Sequence, residues 1–311
     1  MISVNDSAAA IVDEMINKKE VLSIDSLTLE NGAKVVDAGV NVDGGAEAGK
    51  LFTEVCLGGL GEIHLAQEKR TLIRVCVDHP AIACMASQYA GWSINVGDFS
   101  AMGSGPARAL SQVEDLYADL DYQDDSDSAV LVLETRSYPD EEVAEYIAEK
   151  CGIETENLYL LVSPTASIVG SVQISGRVVE TGVHKLYELD FDIESILTGI
   201  GSCPVSPVAS NDLESMGQTN DCVLYGGRTI YFVEGVEDEE IEDMIEKVPS
   251  SASEDYGKPF LELFEEYERD FFKIDPHLFS PAQITINNIE TGSVFEAGEV
   301  NENLLEKSLG I

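Results

Sequence analysis

Apolar residues follow two periods along this chain. Ile11, Met15 and Ile16 recur at helical spacing, and Asn5 or Ser7 supplies a cap, which predicts a first helix ending near Asn17. Leu22–Leu29 and Ala33–Val42 read as strands joined at Asn31-Gly32, a tight hairpin signal. Gly44-Gly45 interrupts the pattern, and Ala46–Leu57 reads as a buried helix. The carboxyl end repeats this order. Gln283–Ile289 and Ser293–Ala297 flank a turn at Thr291-Gly292, and Asn301–Leu309 is helical. Such a ββα echo is the trace an internal duplication leaves, although residue identity between the two ends is thin.

Between these ends the two periods alternate. Leu72–Val77 and Ser93–Val96 are strand-like and flank a helical Pro80–Ala90. Ala129–Thr135 and Leu158–Ser163 are continuous apolar runs, the signature of buried strands, and Asp140–Cys151 between them is an amphipathic helix. A long small-residue segment extends to about Tyr187. Cys222–Leu224 and Thr229–Val233 read as a hairpin across Gly226-Gly227, and Glu239–Lys247 and Tyr256–Phe272 as helices. The pattern places the chain in the mixed α/β (α+β) class. The acidic, turn-rich stretch Asp119–Asp127 is a candidate boundary. It predicts one α/β domain over 1–125, open to completion by the C-terminal segment, and a second over 126–311.

Composition narrows the partners. The 311 residues suit one large domain or two moderate ones, and 44% hydrophobic residues suit a packed core. No run approaches ~18 uninterrupted apolar residues, so no transmembrane helix is expected. Met1–Asp13 has neither a basic region nor a long apolar run, so no secretory signal is expected. Acids outnumber bases 58 to 18, a net charge of −40. That field repels phosphate and anionic lipid, which argues against nucleic-acid and membrane partners. It fits either a solvated acidic surface or salt adaptation, because near 1 M salt the Debye length falls to roughly 3 Å and the self-repulsion is screened. Lysine is scarce, at 11 residues, unlike the Lys/Glu-rich pattern of hyperthermophiles. The six cysteines form no CxxC and no zinc spacing, and their apolar neighbours suggest buried thiols in a reducing cytoplasm. The four histidines are scattered, so a catalytic metal has no visible ligand set.

Four stretches carry candidate chemistry. The first is Ser163–Gly182, in which Ser163-Pro164 reads as a helix start and Gln173, Arg177, Glu180 and His184 fall on one helical face. Gly170, Gly176 and Gly182 are poor helix formers that make sense where another backbone or a flat ligand comes close. A strand over Val172–Ile174 is the competing reading, and it would put Arg177 and Glu180 on opposite faces. The bland account of Arg177 and Glu180 is an exposed helix ion pair. Against it, this arginine is one of seven and sits in an apolar, glycine-rich run. The second stretch, Gly97–Ala109, holds Gly103-Ser104-Gly105, a candidate anion cradle, with Arg108 nearby. The third, Met216–Gly227, reads as a polar loop with Asn220 and Asp221 leading into a strand. The fourth, Ser253–Phe260, holds Lys258, and Asp255 or Ser253 could cap the helix after it.

These stretches, together with Ser3-Val4-Asn5, Asp78-His79-Pro80 and Lys273-Ile274-Asp275-Pro276, resemble the methenyltetrahydromethanopterin cyclohydrolase family from residue 3 to residue 311. The resemblance implies two α/β domains with a deep pocket between them, and a homo-oligomer, specifically a trimer. It also implies no metal and no redox cofactor. The family's arginine–glutamate pair falls on Arg177 and Glu180, and the substrate contacts expected from the four stretches themselves are Gly103, Ser104, Gly105, Arg108, Gln173, Asn220, Asp221 and Lys258. The chain departs from the family in its charge, which leaves a folate-type carrier open. The implied substrate is a cyclic amidinium, already cationic and electrophilic, so one carboxylate can serve both proton transfers without a Lewis acid. The competing reading from another class is a protein that binds a reduced pterin without turning it over.

Overall fold

The computed structural model describes residues 2–270 and 273–311. In chain order its helices and strands begin with α1 (Val4–Asn17), α2 (Lys19–Leu22), β1 (Asp25–Thr28), β2 (Lys34–Asp37), α3 (Ala46–Cys56), β3 (Gly61–Gln67) and β4 (Thr71–Asp78). A π-helix, Ala81–Gln88, leads to β5 (Trp92–Val96), β6 (Phe99–Ser104), α4 (Arg108–Ser111), β7 (Ala129–Glu134), α5 (Glu141–Cys151), β8 (Leu158–Ser163) and α6 (Ile168–Ser175). The rest comprises α7 (Val178–Glu188), β9 (Ile196–Pro204), α8 (Asp212–Gly226), β10 (Arg228–Val233), α9 (Asp238–Met244), α10 (Phe260–Glu266), β11 (Gln283–Asn288), β12 (Val294–Gly298) and α11 (Glu302–Leu309).

The mixed α/β expectation holds, with two six-stranded sheets ordered β1-β2-β8-β7-β6-β5 and β12-β11-β10-β9-β4-β3. Each lies in its own compact unit. Unit 1 joins Met1–Glu62 to Ile82–Gln173, and unit 2 joins Ile63–Ala81 to Ile174–Ile311. A single cut near residue 125 is therefore corrected. β7 and β8 hydrogen-bond into the sheet of β2 and β6, which keeps residues 126–173 in unit 1. β4 pairs with β9, which carries residues 63–81 into unit 2. The ββα order recurs at the two ends as β1-β2-α3 and β11-β12-α11.

In unit 1 both faces of the sheet are covered. Val143, Ala144 and Ile147 of α5 pack with Leu131, Leu133, Leu158 and Leu160 on one side. Val12 and Met15 of α1 and Phe52 of α3 pack with Val130, Val132 and Leu161 on the other. This double coverage explains why β7 and β8 read as unbroken apolar runs around two parallel pairings. Ser3, rather than Asn5 or Ser7, caps α1 by accepting the Asp6 N–H. Asn5 is buried instead, donating to Pro106 O and Asp124 and accepting from Val130 N.

Unit 2 departs further from expectation. β9 was not foreseen, and Cys222–Leu224 lies inside α8 rather than in a hairpin strand. β10 pairs antiparallel to β9 and parallel to β11. The helix expected over Tyr256–Phe272 is shortened to α10, and its last two residues lie outside the described ones. No helix among the described residues is long and apolar enough to cross a membrane.

Candidate functional site

The Ser163–Gly182 run does not form one helix. Ser163 ends β8 and Pro164 lies in the loop after it, Ser167 Oγ accepts the Gly170 N–H, and α6 runs only from Ile168 to Ser175. The chain breaks at Gly176, and Arg177 occupies the position before α7, with its carbonyl accepting the Thr181 N–H. The shared face of Gln173, Arg177, Glu180 and His184 is thus corrected. Gln173 belongs to α6 in unit 1, whereas Glu180 and His184 ride on α7 in unit 2.

Arg177 and Glu180 do come together. Nη1 lies 3.8 Å from Oε2, and the two side chains are only 13% and 8% exposed. That separation is ionic rather than hydrogen-bonded, and the burial rules out an exposed pair. Glu180 is the third residue of α7, where the helix field favours negative charge. One turn on, His184 Nε2 is 3.7 Å from Glu188, and burial lowers the histidine pKa from its ordinary value. The adjacent Lys185 is 1% exposed, donates to His277 O at 2.8 Å, and is pushed down to about 8 by burial.

Glycines seat α7 on its sheet. A Cβ at Gly199 or Gly201 would meet Val179 or Val178, and one at Gly182 would meet the Tyr231 hydroxyl. That hydroxyl donates to Val179 O at 2.7 Å. A Cβ at Gly170 would meet the Pro164–Thr165 backbone. At Gly170 and Gly182, then, the close approach anticipated from sequence is made by the protein itself.

The remaining expected contacts fare differently. Gly103 and Ser104 end β6 and Gly105 follows it; all three are buried, with Ser104 Oγ donating to Gln88 O and Gly105 N to Ser87 O. The anion cradle is therefore corrected, because its donors serve the fold. Arg108 is 0% exposed. Its guanidinium is committed to both oxygens of Glu114 and to the carbonyls of Met85 and Ser87, which corrects its assignment to a substrate anion. The Met216–Gly227 loop is helix α8. Asn220 Nδ2 donates back to Met216 O. The carboxylate of Asp221 is buried and accepts the Phe260 N–H and the Ser308 hydroxyl, so it caps α10 in place of Asp255 or Ser253. Its substrate assignment is likewise corrected, and burial lifts its pKa to about 7. Lys258 pairs with Glu266 at 2.6 Å and is 37% exposed.

Three polar residues stand at the carboxyl ends of the parallel strands of unit 1; sequence reading passed over Asp37 and Glu134 and took Ser163 for a helix start. Asp37 of β2 accepts the N–H groups of Gly39, Val40 and Asn41, Ser163 Oγ ends β8, and Glu134 of β7 accepts the Thr165 hydroxyl. Their signal was a polar residue closing each apolar run, at the strand ends where open parallel sheets present ligand sites. A cavity of about 910 Å³ in unit 1, beside Tyr117 and Asp124, and one of about 790 Å³ in unit 2, beside Lys185 and His277, include none of the expected site residues. Among the described residues no three His, Cys, Asp or Glu side chains gather in a metal-binding group.

The chain is similar to curated proteins over its whole length. It is 51% identical to the methenyltetrahydromethanopterin cyclohydrolase of Methanococcus maripaludis (strain C7), covering 99% of this chain and 98% of the relative. It is 50% identical to the protein of that name from Methanocaldococcus jannaschii, over 100% and 99% of the two chains. The identity is also 50% to that of Methanothermobacter thermautotrophicus, over the full length of both. Residues 3–309 match the family described as Cyclohydrolase (MCH), and the chain belongs to that family.

Proposed function

We infer that this chain hydrolyses the methenyl bridge of 5,10-methenyltetrahydromethanopterin, reversibly giving the 5-formyl form. The observation that carries this reading is identity of about half of all residues, over the full length, to cyclohydrolases of that name. Arg177 and Glu180 are the reacting groups in this reading. Glu180 takes a proton from water as its oxygen bonds to the methenyl carbon, forming a tetrahedral carbinolamine. The protonated Glu180 then gives its proton to the departing nitrogen as that C–N bond breaks, the carbinol oxygen becomes the formyl carbonyl, and the hydroxyl proton is released to water. Arg177 orients the carboxylate, keeps it ionised and stabilises the developing oxygen. The chain's own residues supply all of these steps, without a metal or redox cofactor.

With Arg108 committed to the fold, at least one of Arg228 and Lys258 holds the anionic tail of the substrate; an exposed pair such as Lys258–Glu266 is worth little and can be exchanged. Asn220 is a further substrate contact in this reading. The protein works in the cytoplasm, in keeping with its six free thiols, is adapted to salt, and assembles with copies of itself as a trimer. Loss of the methenyl absorbance on adding purified, chelator-dialysed protein tests the reading. Substrate binding without turnover would make the chain a pterin-binding protein. Turnover of a folate carrier alone would reassign the substrate, and restoration by added metal would reassign the chemistry.

A further inference from the structure

Neither Arg177 nor Glu180 lines the cavity of about 790 Å³ in unit 2, yet polar groups on its wall lack partners. Lys185 of α7 is 1% exposed and donates to His277 O, and its other two N–H groups meet no acceptor among the described residues. The Nδ1 of His277 is also buried with no hydrogen-bond partner among them. Eight of the eleven lysines ion-pair with carboxylates, and Lys185 and the exposed Lys247 of this cavity are two of the three that do not. In a chain of 58 acids and 18 bases, two such lysines in one cavity mark a place open to another negative group. Asp275, on the same wall, does not fill it, because its oxygens accept the Ser253 hydroxyl and the His277 N–H. The unused donors suit a carboxylate.

The other charges of the cavity decide what carries that carboxylate. Glu246 and Glu254 are exposed, line the same cavity and ion-pair with no base among the described residues. Two lysines thus stand with three carboxylates, in a chain of net charge −40, and that surround repels a plain anion. A molecule with an ammonium as well as a carboxylate is neutral overall and pairs with both signs. Leu189 and Ala252 supply an apolar part of the wall for the rest of it.

We propose that this cavity binds a small zwitterion of the free amino-acid type, separate from the cyclohydrolase substrate, with its carboxylate on Lys185 and Lys247 and its ammonium on Glu246 and Glu254. Burial holds the Lys185 amine down at about 8, against the pull of Asp275 and Glu188. His184 on α7, and His277, Lys247, Glu246 and Glu254 of the cavity, are the other titratable groups around it. A bound carboxylate favours the ammonium form, so binding should be full below about pH 8 and weaken above it. The test is calorimetric titration of the whole chain at assay salt with leucine, and with isocaproate, which is leucine without its ammonium. Leucine should bind, and isocaproate should bind about tenfold or more weakly. Lys185→Met and Lys247→Gln should each weaken leucine by about tenfold or more, while Lys150→Gln, at the third lysine without an ion pair, should leave it unchanged. Lys247 is exposed, so its variant decides if Lys185→Met does not fold. Absence of leucine binding overturns the site, and equal binding of isocaproate overturns the zwitterion. Unchanged affinity in the folded lysine variants, or from about pH 7 to about pH 9, removes the carboxylate from this cavity. Leucine that raises KM for the methenyl substrate in proportion to its concentration would place the cavity on the substrate's own path and overturn a separate site.

Discussion

Of the 58 acids, those buried among the described residues are Asp37, Asp124, Glu180 and Asp221. Three of them serve the fold: Asp37 holds a loop, Asp124 holds Asn5, and Asp221 caps α10. Glu180 is the one set against a guanidinium. Glu180→Gln keeps the shape but cannot take a proton, so turnover should fall about 100- to 10,000-fold with substrate binding largely kept. Turnover of the folded variant at saturating substrate checks this, and a loss under about fivefold would place the base elsewhere. Arg177→Ala should also be impaired, and the double variant should lose less than the product of the two because the pair acts as a unit. At least one of Arg228→Ala and Lys258→Ala should raise KM and spare kcat, since a remote anchor binds ground and transition states alike. An unchanged KM in both removes these residues from the site.

At the scale of elements, α7 is held to its sheet by contacts that require glycine. Gly182→Ala puts a methyl into the Tyr231 hydroxyl, so either the buried Tyr231 ring or α7, with Glu180 on it, must shift. Overpacking of this kind costs about 1–3 kcal/mol. The variant should therefore lose both thermal midpoint and kcat, whereas full activity in a destabilised variant would uncouple α7 seating from the site. Helix α8 makes a different test through Asp221. Its folded pKa of about 7 lies above the ordinary 3.8, so the folded state holds a proton that the unfolded chain has released. Stability from this group is complete below about pH 4 and is lost as pH rises through about 7. Asp221→Asn should match wild type near the acid end and exceed it above pH 7, by on the order of 1–3 kcal/mol. Urea unfolding across that range measures the difference, and parallel curves would refute it.

At the scale of the whole molecule the charge dominates. Arg70 and Lys69 both bridge to Glu302 and Glu306, tying α11 to the β3–β4 turn, so even the terminal helix of unit 2 draws on scarce bases. Raising potassium chloride from about 0.1 M to about 3 M shortens the Debye length from about 10 Å to under 3 Å. Thermal midpoint and activity should both rise as the self-repulsion of −40 charges is screened. A flat or falling response would mean that the acids are only a solvated coat.

The sequence by itself determined the buried strands β7 and β8, the amphipathic α5, the hairpins at the two ends and the Arg177–Glu180 pair. Each of these rests on residues close together in the chain, where periodicity and turn chemistry act. Tertiary structure decided which strands share a sheet, because pairing β4 with β9 brings together residues more than a hundred positions apart. It also decided that Cys222–Leu224 is helical, since an apolar run that short fits a buried strand or a buried helix equally well. For the same reason Arg108, Ser104 and Asp221 looked like ligand-binding groups. Their type and spacing suit an anion site or a binding rim, and only the folded chain brings up the Glu114 carboxylate, the Gln88 carbonyl and the Phe260 N–H that occupy them.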